Sequence, residues 1–114
     1  MGDIQQYEIF YTQAALEDID EKADYIAFQL HDLDLAEKWY FQLRNTIQEN
    51  LSSFPLKYPQ YNVEPWKTRG IRLFVARNDV VLYSADCTAH IVYIRGVCTK
   101  RQDLAAHLEI SKEE

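Results

Sequence analysis

A chain of 114 residues, 47% of them hydrophobic, is long enough for one domain with a real core and too short for two. No apolar stretch approaches the roughly 18 to 20 uncharged residues of a membrane span, and the opening MGDIQQYEIFY lacks the basic segment and apolar run of a signal peptide. The expected compartment is therefore the cytoplasm, and a chain of net charge −6 gives weaker evidence for nucleic-acid binding than a strongly basic one would.

The first predicted element is the β-prone run YEIFY, residues 7 to 11, in which Ile9 and Tyr11 alternate with Glu8 and Phe10. Thr12 follows as the expected N-cap of a helix. Leu16, Ile19, Ala23, Ile26 and Leu30 recur at spacings of three and four, which gives an amphipathic helix of about five turns whose acids lie on the other side. HDLD, residues 31 to 34, interrupts the pattern, and Asp34 with Glu37 three residues later resembles a capping box. Ala36, Trp39, Tyr40, Leu43, Ile47 and Leu51 then mark a second helix. So short a connection predicts an antiparallel helical hairpin.

Pro55, Pro59 and Pro65 exclude a helix from the following segment, which reads as a loop. Three strands are expected after it: Gly70 to Arg77, Val80 to Ala85 and His90 to Cys98, joined by turns at Arg77 to Asp79 and Asp86 to Ala89. They form an antiparallel meander. The whole predicts a single α+β domain over residues 1 to 108, with a short helix possible in composition at residues 103 to 108 and a charged tail from 109 to 114. Both helices are expected on one face of the sheet, with the other face open.

Charge is divided along the chain. Residues 1 to 54 carry eleven acids against three bases, whereas residues 65 to 101 carry seven bases against two acids. Such a division predicts an acidic solvated face and a basic binding face. The two cysteines, Cys87 and Cys98, fall at opposite ends of neighbouring strands, about seven residues at roughly 3.3 Å each, which is beyond disulfide reach. With His31, His90 and His107 they show no metal-ligand spacing, so no metal is expected.

TQAALEDIDEKADYI, residues 12 to 26, resembles the first-helix signature of the RelE/ParE toxin superfamily, with Ala15, Asp18, Ile19, Tyr25 and Ile26 in register. Gln13 replaces the family's usual proline, and Lys22 stands where an apolar residue is usual. The resemblance continues through LAEKWYFQLRNTIQENLSSFP, residues 35 to 55, VVLYSAD, residues 80 to 86, and IVYIRGVCTKRQDL, residues 91 to 104. It implies the toxin of a type II toxin-antitoxin pair, with no cofactor, closer to the ParE branch. A cognate antitoxin is then the expected partner, and no sequence-specific DNA binding is expected of the toxin alone.

Members of this superfamily differ in target: some cut messenger RNA on the ribosome and others inhibit DNA gyrase. The mRNA-cutting pattern Arg-Leu-Val-Tyr is matched here by VVLY, so Val80 stands where that arginine would be. A valine cannot stabilise a phosphorane. Replacement basic or acid-base groups are Arg72, Arg95, Arg101 and His107, and the target-binding candidates are Arg95, Lys100 and Arg101. Alternation places Arg72 with Phe74, facing away from the helices, and Arg95 with Ile91 and Tyr93. Arg95 reads equally as a site residue or as an arginine lying along an exposed sheet face. Tyr83 and Tyr93 read as packing aromatics before catalytic phenols. For the antitoxin, Tyr40, Phe41 and Trp66 are the candidate contacts, whereas Trp39 fits the hairpin core better. These residues favour a gyrase-directed binder over a ribosome-dependent endonuclease, with an inert antitoxin-binding module as a third reading.

Overall fold

The computed structural model describes residues 6 to 99. Strand β1 (Glu8–Tyr11) leads into helix α1 (Gln13–Asp24), which runs on through a π-helical turn, Tyr25–Gln29, before helix α2 (Leu33–Leu51). After a 3-10 turn at Pro55–Lys57 come strands β2 (Arg72–Ala76), β3 (Asp79–Asp86) and β4 (Ile91–Thr99). The sheet order is β1-β4-β3-β2, with β1 parallel to β4 and the other neighbours antiparallel. Each expected strand is present within two residues of its expected ends. The four-stranded sheet is thus mixed, because β1 lies beside the last strand.

Thr12 explains how β1 turns into α1. Its hydroxyl donates to the Ile94 carbonyl (2.9 Å) and accepts from the Ala15 amide (3.3 Å), so one side chain caps the helix and ties it to β4. The second cap lies two residues earlier than Asp34. Asp32 accepts from the Leu35 amide at 2.9 Å, because α2 already begins at Leu33 and Leu35 occupies the third helical position. Between the helices His31 adopts a positive φ of 54°, which lets the chain reverse within three residues.

The π turn is the main departure from the predicted first helix. The Leu30 amide bonds back to the Tyr25 carbonyl at 3.3 Å, five residues away rather than four. That extra residue turns later side chains off the apolar stripe. Ile19 and Ile26 are buried as expected, but Leu30 is exposed.

The main core lies between helices and sheet. Ile19 from α1 and Leu43, Ile47 and Leu51 from α2 pack on Phe74, Val81, Tyr83, Val92 and Ile94. Trp39 and Tyr40 lean against it, half-buried.

A second core occupies part of the other sheet face, which is therefore only partly open. Trp66 packs there with Ile71, Val80, Leu82 and Cys98 beneath the 59–71 segment. This segment is held by main-chain bonds: the Tyr61 amide to Ile71 (2.8 Å) and the Leu73 amide to Pro59 (3.0 Å). Gly70, at φ 76°, supplies the left-handed residue that lets it turn into β2.

Candidate functional site

Polar and aromatic groups meet at several places among the described residues, two of them around Arg95 and Asp79. On the sheet face away from the helices, Arg95 is half-buried, with its guanidinium carbon 5.3 Å from the centre of the Tyr93 ring and its Nε donating to the Ser84 hydroxyl at 3.3 Å. Exposed Phe10 meets Tyr93 edge-on at 5.7 Å from the neighbouring strand. Arg95 is positioned by an irregularity. Tyr83 pairs with Ile94 and Leu82 with Gly96, so Arg95 is the extra residue of a β-bulge. Its alignment with Ile91 and Tyr93 agrees with the sequence.

Arg72 is not on that face. It sits with Phe74 on the helix side, where its Nη1 donates to the carbonyls of Leu56 (3.1 Å) and Tyr58 (2.6 Å). The parity was right and the direction wrong: β2 is apolar on both sides, since Leu73 packs into the second core and Phe74 into the first. Arg72 therefore clamps the turn after α2, and Arg72 and Arg95 do not converge. Lys100, Arg101 and His107, like the expected terminal helix and tail, lie outside the described residues.

Val80 is 6% exposed and forms part of the second core beside Trp66, itself 3% exposed. The position where the resemblance would put an arginine thus carries no charge and little solvent contact. The same burial corrects the contact expected of Trp66, whose indole is inside the fold. Phe41, by contrast, is 60% exposed, and Tyr40 meets it edge-on at 5.2 Å.

Asp79, at the start of β3, gathers the second polar group. Its carboxylate takes the Lys22 ammonium from α1 on one oxygen and the Trp39 indole N–H from α2 (2.9 Å) on the other. A cleft of about 250 Å³ opens beside it, lined also by Lys38 and Arg77. The sequence reading missed this arrangement, since Asp79 looked like a turn residue. The signal was Lys22, a charge where the family pattern is apolar. Nearby, Asp18 accepts from the Val97 amide at 2.9 Å, fastening α1 to β4.

The titratable groups point to structure rather than to chemistry. Burial, reinforced by the Asp18 and Asp79 carboxylates, pushes the Cys98 thiol up to about 11, so it is no nucleophile near neutrality. Burial also raises the Tyr83 phenol above its usual range, and its hydroxyl donates to the Pro55 carbonyl. Both sulfurs are free thiols, Cys87 exposed and Cys98 buried. Among the described residues no three His, Cys, Asp or Glu side chains converge as a metal site, and no helix is long and apolar enough to cross a membrane.

No protein-family model matches the sequence, and no curated protein matches it. Solved structures do. The chain is similar to one in the toxin-antitoxin complex RelBE2 from Mycobacterium tuberculosis, with a TM-score of 0.66 and 16% identity over 90% of this chain and 100% of the other. It is similar to the same degree, TM-score 0.66, to one in the chromosomal ParDE TA system from P. aeruginosa, at 12% identity over 82% of this chain and 96% of the other. The strand, helical pair and following meander together make an α+β fold that is RelE/ParE-like, with the same TM-score against each of the two chains.

Proposed function

We propose that this chain is the toxin of a type II toxin-antitoxin pair, that it arrests growth by binding DNA gyrase, and that a cognate antitoxin neutralises it. Support for the general reading is the fold, which it shares with chains of two toxin-antitoxin complexes. Support for binding over cleavage is the single fact that Val80, where an mRNA-cutting member would carry its arginine, is a buried core residue. RNA cleavage needs cations around the developing phosphorane charge. On that sheet face, among the described side chains, Arg95 offers one guanidinium already engaged with Ser84 and Tyr93.

A gyrase supercoiling assay with the purified chain tests the target. Inhibition that rises with toxin and is relieved by the antitoxin is expected; normal supercoiling at saturating chain sinks the gyrase reading. The second reading, a ribosome-dependent endonuclease, draws on Arg95 at the open face, with Lys100 and Arg101 following it five and six positions later in the sequence. Mapping of mRNA 5′ ends after induction would then show codon-positioned cuts that vanish with Arg101→Ala. Unimpaired growth without the antitoxin would leave the third reading, an antitoxin-binding module that is not toxic.

A further inference from the structure

The cleft beside Asp79 carries positive charge that the fold does not use. It opens between α2 and the turn joining β2 to β3, and its volume is about 250 Å³. Asp79 is the acid of its lining among the described residues, and that carboxylate is engaged on both oxygens, by Lys22 and by the Trp39 indole N–H at 2.9 Å. The Lys22 ammonium in turn lies 5.1 Å from the centre of the Trp39 ring. These three side chains form a closed set in which the charges of Lys22 and Asp79 cancel.

Lys38 and Arg77 line the same cleft and are exposed. Among the described residues neither side chain makes a hydrogen bond or an ion pair, although Asp34 stands one turn before Lys38 on α2. The cleft thus holds two uncompensated cations in a chain whose net charge is −6.

Arg77 is also held there at a cost. Ala76 pairs with Asp79, so Arg77 and Asn78 alone make the turn. Arg77 takes its first position at φ 60°, in the left-handed region, where glycine is at ease and a long side chain is not. Strain kept at an exposed residue points to a role for its side chain.

Leu35, Leu43, Ala76 and the Trp39 ring give the rest of the lining an apolar character. A matching ligand needs an anionic group for the two cations and a small apolar body for these side chains. A long polyanion does not match, because Asp32, Asp34 and Glu37 surround Leu35 in sequence and would repel its further charges. A cation would meet Lys38 and Arg77.

We propose that this cleft binds a small organic anion, an oxyanion group carried on one apolar ring, with Lys38 and Arg77 taking the anion and Leu35 and Trp39 the ring. The bound anion joins α2 to the β2–β3 turn, so it stabilises the native chain. Neither the gyrase target nor the antitoxin enters this inference, which stands or falls apart from the proposed function.

The test titrates the isotope-labelled full chain with four probes and follows its amide and indole N–H signals by NMR. Phenyl phosphate and benzoate present the two common oxyanions on a ring, benzamidine presents a cation on the same ring, and inorganic phosphate has no ring. At least one ring anion should bind with a dissociation constant below about 1 mM, at least about tenfold tighter than benzamidine or inorganic phosphate. Binding should weaken at higher salt, and it should move the indole signal of Trp39 while leaving that of buried Trp66 in place. Arg77→Gly should weaken binding about fivefold while the thermal midpoint holds or rises, since glycine relieves the turn. Arg77→Lys should keep most of the affinity, and Lys38→Glu with Arg77→Glu should abolish it. Several results overturn the proposal: no binding of either ring anion at about 10 mM, benzamidine or inorganic phosphate binding as tightly, an unmoved Trp39 signal, or full affinity in Arg77→Gly.

Discussion

Lys22 and Asp79, 57 residues apart, form an ion pair that joins α1 to the start of β3, and Trp39 completes it from α2. Asp79 is almost wholly buried, whereas the Lys22 side chain keeps 26% of its exposure. Removing the cation leaves a carboxylate with one neutral donor in a largely dry place. Lys22→Met is therefore expected to destabilise the chain by about 2 to 3 kcal/mol, below the full cost of a wholly buried pair because water reaches the ammonium. Urea unfolding measures this, and Lys22→Met with Asp79→Asn should recover part of the loss.

Trp66 holds the 59–71 segment against the sheet. Trp66→Ala should cost about 3 to 5 kcal/mol through the cavity it leaves. Denaturant unfolding gives the loss, and the remaining fluorescence should come from half-buried Trp39 at longer wavelength. A loss under about 1 kcal/mol would mean that Trp66 is not core.

The two arginines that the sequence grouped should separate experimentally. Arg72→Met removes the donor from two carbonyls and should lower stability by about 1.5 to 3 kcal/mol. Arg95→Ala should change stability by less than about 1 kcal/mol, and under the proposed function it should weaken growth inhibition. Unfolding curves and growth after induction, read together, check both.

High pH should loosen the fold. Cys98 and Tyr83 have folded pKa values raised above their ordinary ones, so the stability they contribute is complete below the ordinary values and is lost as pH rises toward the folded ones. For Cys98 that window runs from 9.0 to about 11. Urea midpoints should fall across it, and Cys98→Ala should flatten the early part of the fall.

Thiol reactivity should follow burial. At pH 8 the native chain should consume one equivalent of a thiol reagent quickly, at exposed Cys87, and a second on unfolding. Cys87→Ser should abolish the fast reaction; a fast reaction persisting in that variant would place Cys98 at the surface.

Much of the fold was legible because local and long-range signals agreed. Thr12 is the predicted cap, the α2 stripe buries the predicted Leu43, Ile47 and Leu51, and Ile9 and Tyr11 face the core. The site was less legible for a physical reason. Alternation assigns residues to two faces without saying which face meets the helices, and a strand apolar on both sides, as β2 is, carries no tie-breaker. Thus Arg72 faces the helix side against the expectation, and Trp66 is core where a contact is expected. The π turn left no trace in the spacing, because one added hydrogen-bonded residue is a tertiary choice.

The pairing of β1 with β4 bears on how the chain comes to exist. Thr12 reaches Ile94 across 82 positions of sequence, and among the described residues β1 pairs with no strand but β4. During synthesis the first strand must wait, with its main-chain groups in water, until the last strand leaves the ribosome. The helical pair can form earlier from local contacts, so the chain can hold its hairpin before it holds its sheet.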